Sequence, residues 1–189
     1  MKGRIKLGYF SADFHDHATL FLMNGLFREH DRNGFEVYCY SYGVRKAGEK
    51  RSEVEAMVPN FFDVAELSDH AIAGLARSHG LHIGIDLKGY TTHSRSRIFQ
   101  HRVAPIQVNY LGFPGSLGSN CFDYMIADAT VVPPEFRCFY DESVLFLPHC
   151  YQPNDDRRPI PSHVPSRDHY GLREDQFVLC CFNASYKIS

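Results

Sequence analysis

The sequence predicts an α/β fold with a mainly parallel sheet flanked by helices, and three observations carry that prediction. Short apolar runs of strand length alternate with stretches whose apolar residues recur at helical spacing, the order that builds a parallel sheet. Two of the runs empty into loops rich in glycine, hydroxyl and basic residues, IGIDL into KGYTTHSRSR and IQVNYLGF into PGSLGS, as strands do at the ligand edge of an open α/β sheet. The chain has 189 residues, 44% of them hydrophobic, enough to bury a real core.

The elements follow in order. Arg4 to Phe10 (RIKLGYF) reads as a first strand, the polar turn SADFHDH follows, and Leu22, Met23, Leu26 and Phe27 mark a helix. Phe35 to Tyr42 is rich in β-formers, Ser52 to Val58 suggests a short helix, and Phe61 to Leu67 is a brief strand or an extended connection. Asp69 to Ser78 is helical with Ser68 or Asp69 as cap, and Gly80 stops it before the strand Ile83 to Leu87. Ser94 to His101 reads as a helix, and Ile106 to Phe113, Tyr124 to Ala127 and Val144 to Leu147 read as strands. Pro133-Pro134 opens a short helix between the last two. Asn154 to Arg167 (NDDRRPIPSHVPSR) is proline-rich and charged, an irregular connector. Beyond it lies one strand, Phe177 to Phe182, which either joins the first sheet or opens a second lobe; the second reading is preferred. The expected organisation is a lobe over 1–153, a linker over 154–170 and the opening strand of a second, truncated lobe over 171–189.

Composition narrows the function. The formal charge of -2 comes from interspersed acids and bases, so nothing points to nucleic acid as partner. No run approaches the roughly 18 to 20 apolar residues of a membrane span, and Met-Lys-Gly-Arg leads directly into a strand without an apolar signal core. Cys39, Cys121, Cys138, Cys150, Cys180 and Cys181 show no C-x-x-C spacing, and most fall in apolar, strand-like surroundings. They read as reduced thiols of a cytoplasmic protein.

Candidate chemistry gathers where strands end. Asp13, His15, Asp16 and His17 lie between the first strand and first helix, and three readings are open: a metal site on Asp13, His15 and His17, as in a hydrolase; a polar loop with a helix-capping histidine; or a catalytic or ligand-contacting histidine. The loop GFPGSLGS carries glycine at every third position, which lets backbone approach a ligand or a neighbouring lobe. It is neither a Walker loop nor a nucleophile elbow. Tyr90, Thr91, His93, Arg95 and Arg97 form a second candidate rim.

Several ordered motifs, Gly89-Tyr90-Thr91, Ala104-Pro105-Ile106-Gln107 and Gly112-Phe113-Pro114-Gly115-Ser116, resemble the catalytic region of the O-linked N-acetylglucosamine transferases and SPINDLY-like proteins, in their bacterial form. Ser11-Ala12-Asp13-Phe14 with His17, Ala18 and Thr19 matches a further signature of that family, and Cys180 to Ile188 matches the segment that opens its second lobe. The resemblance implies a glycosyltransferase of GT-B type with two Rossmann-like lobes, of which this chain holds the first and the start of the second. It implies transfer of N-acetylglucosamine, or another sugar, from a UDP donor to Ser or Thr hydroxyls of proteins, with no metal or other cofactor. His17 would be general base or acceptor-site residue, Asp13, Thr19, Gly89, Tyr90, Thr91, Gly112, Phe113, Pro114, Gly115 and Ser116 would shape the substrate cleft, and Lys187 would hold the donor diphosphate. Three positions depart from the pattern: Ser116 where Thr is usual, Ala184 where Gln or Asn is common, and Lys88 where Asn or Thr is frequent. The partners implied are the UDP-sugar, a protein acceptor, the rest of the second lobe, and a tetratricopeptide array before Met1, since no repeat of about 34 residues occurs in the chain. A non-catalytic module that docks proteins is the alternative outside enzymology.

Overall fold

The structure, a computed structural model, describes residues 3–182. The chain divides into two units, Met1–Arg157 and Arg158–Ser189. Among the described residues the first unit holds a seven-stranded sheet of β1 (Ile5–Ser11), β2 (Phe35–Ser41), β3 (Asn60–Asp63), β4 (Ile83–Asp86), β5 (Ile106–Asn109), β6 (Tyr124–Ala127) and β7 (Ser143–Phe146). Every neighbouring pair is parallel, in the order β3-β2-β1-β4-β5-β6-β7. The helices are α1 (Ala18–Glu29), α2 (Glu49–Met57), α3 (Asp69–Ser78) and the single turn α4 (Arg97–Gln100).

Side chains of a strand alternate between the faces of its sheet, and here both faces are buried. Leu7 and Tyr9 of β1 and Val37 and Cys39 of β2 join Leu20, Met23 and Phe27 of α1 and Val54 of α2 on one side. Phe10, Tyr38 and Tyr40 point the other way, into a core with Ile72 of α3 and Ile98 and Phe99 of α4. The Phe10 and Tyr40 rings stack at 4.4 Å. Gly8 keeps this face open, because a Cβ there would lie 2.4 Å from Leu81 Cδ1.

The strand over Tyr124–Ala127 and the helix Asp69–Ser78 form as expected, the latter capped by Ser68 and followed by Gly80 at φ +69. The open reading of 61–67 resolves into a short strand, Asn60–Asp63. Other expectations are corrected. The helix expected over Ser94–His101 shrinks to the single turn Arg97–Gln100, bounded by positive φ at His93, 63°, before it and at Arg102, 53°, after it. The strand expected to reach Phe113 stops at Asn109, and the chain turns at Leu111, φ 71°. Pro134–Phe139 is a 3-10 helix. Four of the six cysteines, Cys138, Cys150, Cys180 and Cys181, are exposed; Cys39 is buried within β2.

One residue of the expected connector is fastened to the first unit. Asp155 packs on α1, where Arg28 Nη2 donates to its Oδ1 at 2.6 Å and Asn24 Nδ2 to its Oδ2 at 3.4 Å. Gly25 makes room for it, because a Cβ would lie 3.1 Å from Asp155 Cα. In the second unit Arg167 donates to the carbonyls of Arg173 and Gln176 at 3.0 and 2.7 Å. Residues 177–182 form no strand, and Phe177, Leu179 and Phe182 are exposed. The motif continuing to Ile188, with Ala184 and Lys187, lies outside the described residues. No helix among them is long and apolar enough to cross a membrane.

Candidate active site

Strand order reverses between β1 and β4, and in an open parallel sheet the crevice beyond the carboxyl ends of such strands is where ligands bind. The chain delivers its singled-out residues to that edge. After β1, the Asp13 amide donates to Ser11 Oγ at 2.9 Å, turning the buried Asp13 carboxylate toward β4. There Lys88 Nζ, also buried, meets Asp13 Oδ2 at 2.7 Å. Pairing is what permits two charges to be buried together.

His17 is the N-cap of α1. Its Nδ1 accepts the Thr19 amide at 3.2 Å and lies 3.5 Å from Asp13 Oδ2, while Thr19 Oγ1 donates to the same Asp13 oxygen at 3.5 Å. The ring is exposed. Thus Asp13, His17, Thr19 and Lys88 form one cluster drawn from the ends of two strands.

Asp86, the last residue of β4, sits fully buried beneath the turn that follows. Its Oδ1 accepts the Lys88 amide at 2.9 Å and its Oδ2 the Gly89 amide at 3.2 Å. Burial pushes its carboxyl up to about 6, against the pull of these amides and of the Lys88 charge. The turn Gly89-Tyr90-Thr91 lies directly on the loop after β5. Gly89 has φ +53, and a Cβ on it would stand 2.5 Å from Phe113 Cβ; one on Gly112 would stand 2.2 Å from the Leu87 carbonyl oxygen. Tyr90 Oη donates to the Leu117 carbonyl, and Thr91 Oγ1 to that of Lys88 at 3.0 Å. Asn109 Nδ2 holds the loop from below through the carbonyls of Phe113 and Gly115, both at 3.2 Å. Ser116 Oγ is bonded to the buried Glu142 at 2.7 Å, so its hydroxyl braces the loop.

Other candidates are spent elsewhere. Arg95 fastens the start of α3, with its guanidinium 2.6 Å from Asp69 and a bond to the Leu67 carbonyl at 2.7 Å. Asp16 Oδ1 accepts the Lys50 amide at 3.0 Å and thereby closes the N-terminus of α2. With Asp13 committed to Lys88 and Asp16 to α2, the loop presents no metal-ligand set, and no group of three or more metal-binding side chains is found among the described residues. Sequence reasoning passed over Asp86, Asn109 and Glu142 as site residues. Asp86 and Asn109 are polar residues ending apolar strands at the ligand edge, a signal that would have found them; Glu142 had none.

These features coincide with a described group of proteins. The model of glycosyl transferase family 41 matches residues 1–164. The chain belongs to glycosyl transferase family 41. This family 41 chain is 38% identical over 190 residues to the probable UDP-N-acetylglucosamine–peptide N-acetylglucosaminyltransferase SEC of Arabidopsis thaliana, covering 98% of the chain and 19% of that protein. It is 35% identical over 150 residues to the Caenorhabditis elegans UDP-N-acetylglucosamine–peptide N-acetylglucosaminyltransferase, covering 78% of the chain and 13% of that protein. A mutant of the Thermobaculum terrenum O-GlcNAc transferase superposes with a TM-score of 0.76 at 30% identity, over 79% of this chain and 28% of that one. The family 41 chain therefore has the Rossmann-like fold expected of it, and spans about a fifth, 19%, of the length of the Arabidopsis relative.

Proposed function

We propose that this chain is the first lobe of a two-lobed, metal-independent glycosyltransferase that moves N-acetylglucosamine from a UDP donor to Ser or Thr hydroxyls of cytoplasmic proteins. The observation that carries the reading is the convergence of three family motifs, after β1, β4 and β5, on the reversal of strand order. In the reaction the acceptor oxygen bonds to the anomeric carbon as the bond from that carbon to the β-phosphate oxygen breaks, and the electron pair stays on the diphosphate. Lys187, with backbone amides of the second lobe, stabilises that charge, so no metal is required.

His17 has two roles available, set by its tautomer. With the proton on Nδ1, facing Asp13 Oδ2 at 3.5 Å, Nε2 is free to accept the hydroxyl proton as a general base. With Nδ1 taking the Thr19 amide, Nε2 carries the proton and donates to an acceptor or sugar oxygen. The test is transfer of labelled sugar from UDP-GlcNAc to proteins by the full-length protein and its His17→Ala variant. Labelling by the parent and its loss in the variant support the reading. Absence of labelling with any UDP-sugar, alongside binding of acceptor protein, would replace it with a docking module.

A further inference from the structure

Beside the His17 cluster, the loops after β1 and β2 and the segment before α4 line a cavity of about 340 Å³ that is open to solvent on one side. Its lining includes His15, Tyr42, Lys46 and Ser94. Five buried side-chain polar atoms among the described residues lack a hydrogen-bond partner, and three of them, His15 Nδ1, Tyr42 Oη and Ser94 Oγ, belong to residues lining this one hollow. Tyr42 is 5% exposed, and its hydroxyl makes no hydrogen bond of normal geometry although the Arg95 amide lies toward it. Folded proteins rarely leave such groups unmet, so their concentration marks a place kept for a ligand.

Charge identifies the ligand. Of the charged groups on the walls, Asp13 is neutralised by Lys88 at 2.7 Å and Arg95 by Asp69 at 2.6 Å. Lys46 has no acidic partner among the described residues, and His93 completes the rim. After burial, the Lys46 charge is what holds His15 below the ordinary imidazole range. The cavity thus offers one uncompensated positive charge and two hydroxyls able to donate, a lining for an anion. The volume exceeds that of a bare ion and suits a side chain. The His15 ring lies 5.5 Å from the ring of His17, a distance of one to two residues at about 3.3–3.6 Å each along an extended peptide.

We infer that this cavity is an acceptor subsite for the carboxylate side chain of an Asp or Glu one or two positions from the modified Ser or Thr. The identity of the occupant rests on the transferase reading; the preference for a carboxylate is measured without it. The experiment is binding of fluorescent Ser-containing peptides to the purified protein, with Glu or Gln placed in turn at each position within two residues of the Ser. It is repeated with the Lys46→Met and Tyr42→Phe variants. The Tyr42 hydroxyl makes no hydrogen bond of normal geometry and Lys46 has no ion pair among the described residues, and unchanged melting confirms that the variants fold. A charge-assisted contact gives Glu about a tenfold advantage over Gln at one position, and each variant removes most of it. Equal binding of Glu and Gln peptides everywhere, no peptide binding at all, or a preference that survives both variants overturns the subsite. Failure of the transferase reading is seen separately, as absence of sugar transfer whichever peptide is supplied.

Discussion

Asp86 shows how one residue can shape a site it does not face. Each of its oxygens takes one backbone amide, from Lys88 and from Gly89, so the turn carrying Gly89-Tyr90-Thr91 hangs from a carboxyl that burial has pushed up to about 6. The folded protein therefore holds this proton more tightly than the unfolded chain does. The resulting stabilisation is complete below the ordinary carboxylate range near pH 4 and is lost as pH rises to about 6. The difference is about 3 kcal/mol. Asp86→Asn cannot titrate, so the stability of the parent relative to this variant should fall by about that amount from pH 3 to pH 7. Chemical denaturation across this range measures it, and parallel profiles would show that Asp86 does not titrate there. The same residue illustrates what a linear reading conceals: an aspartate ending IGIDL is visible as a polar strand end, but its partners become visible only when the turn is folded over it.

At the scale of elements, the loop between β1 and α1 fastens two helices. His17 caps α1 through Nδ1, and Asp16 closes α2, which has no side-chain cap of its own. This gives the histidine and acid of the DFHDH segment a structural use, the closing of two helices. Capping and chemistry can be separated, because asparagine is among the best N-cap residues and has no Nε2. His17→Ala should lose about 1 kcal/mol of stability, whereas His17→Asn should melt close to the parent. Sugar transfer by the full-length protein should be lost in both. Thermal unfolding and labelled transfer together check this, and an active His17→Asn variant would confine the histidine to its structural role.

For the whole molecule, the governing fact is that the reversal between β1 and β4 gathers the His17 cluster and the Gly89 turn at one edge of a sheet. The donor diphosphate, in the proposed reaction, is held by residues of a second lobe, and the chain spans only 19% of the Arabidopsis relative. The 189-residue chain alone should therefore show little or no turnover with UDP-GlcNAc and an acceptor protein, while the full-length protein turns over. Robust transfer by the short chain would show that the acceptor lobe suffices.

The alternation of strand and helix, the Ser68 cap and Gly80 stop of α3, and the strand at Tyr124–Ala127 are legible along the chain, because each depends on residues within a few positions of one another. The family motifs are legible for the same reason, as short ordered strings. Leu111 marks where that local reading overran: it does not announce a positive φ, and it lies beyond Asn109, where the strand that the apolar pattern would have extended has stopped. The order of the strands and the site they assemble are different in kind. Lys88 reaches Asp13 across 75 positions, Ser116 reaches Glu142 across 26, and the three unpartnered polar atoms of the cavity come from three separate loops. Such pairings cost chain entropy that only the collective burial of both sheet faces repays, so they exist in the folded molecule and leave no periodic trace in its residues.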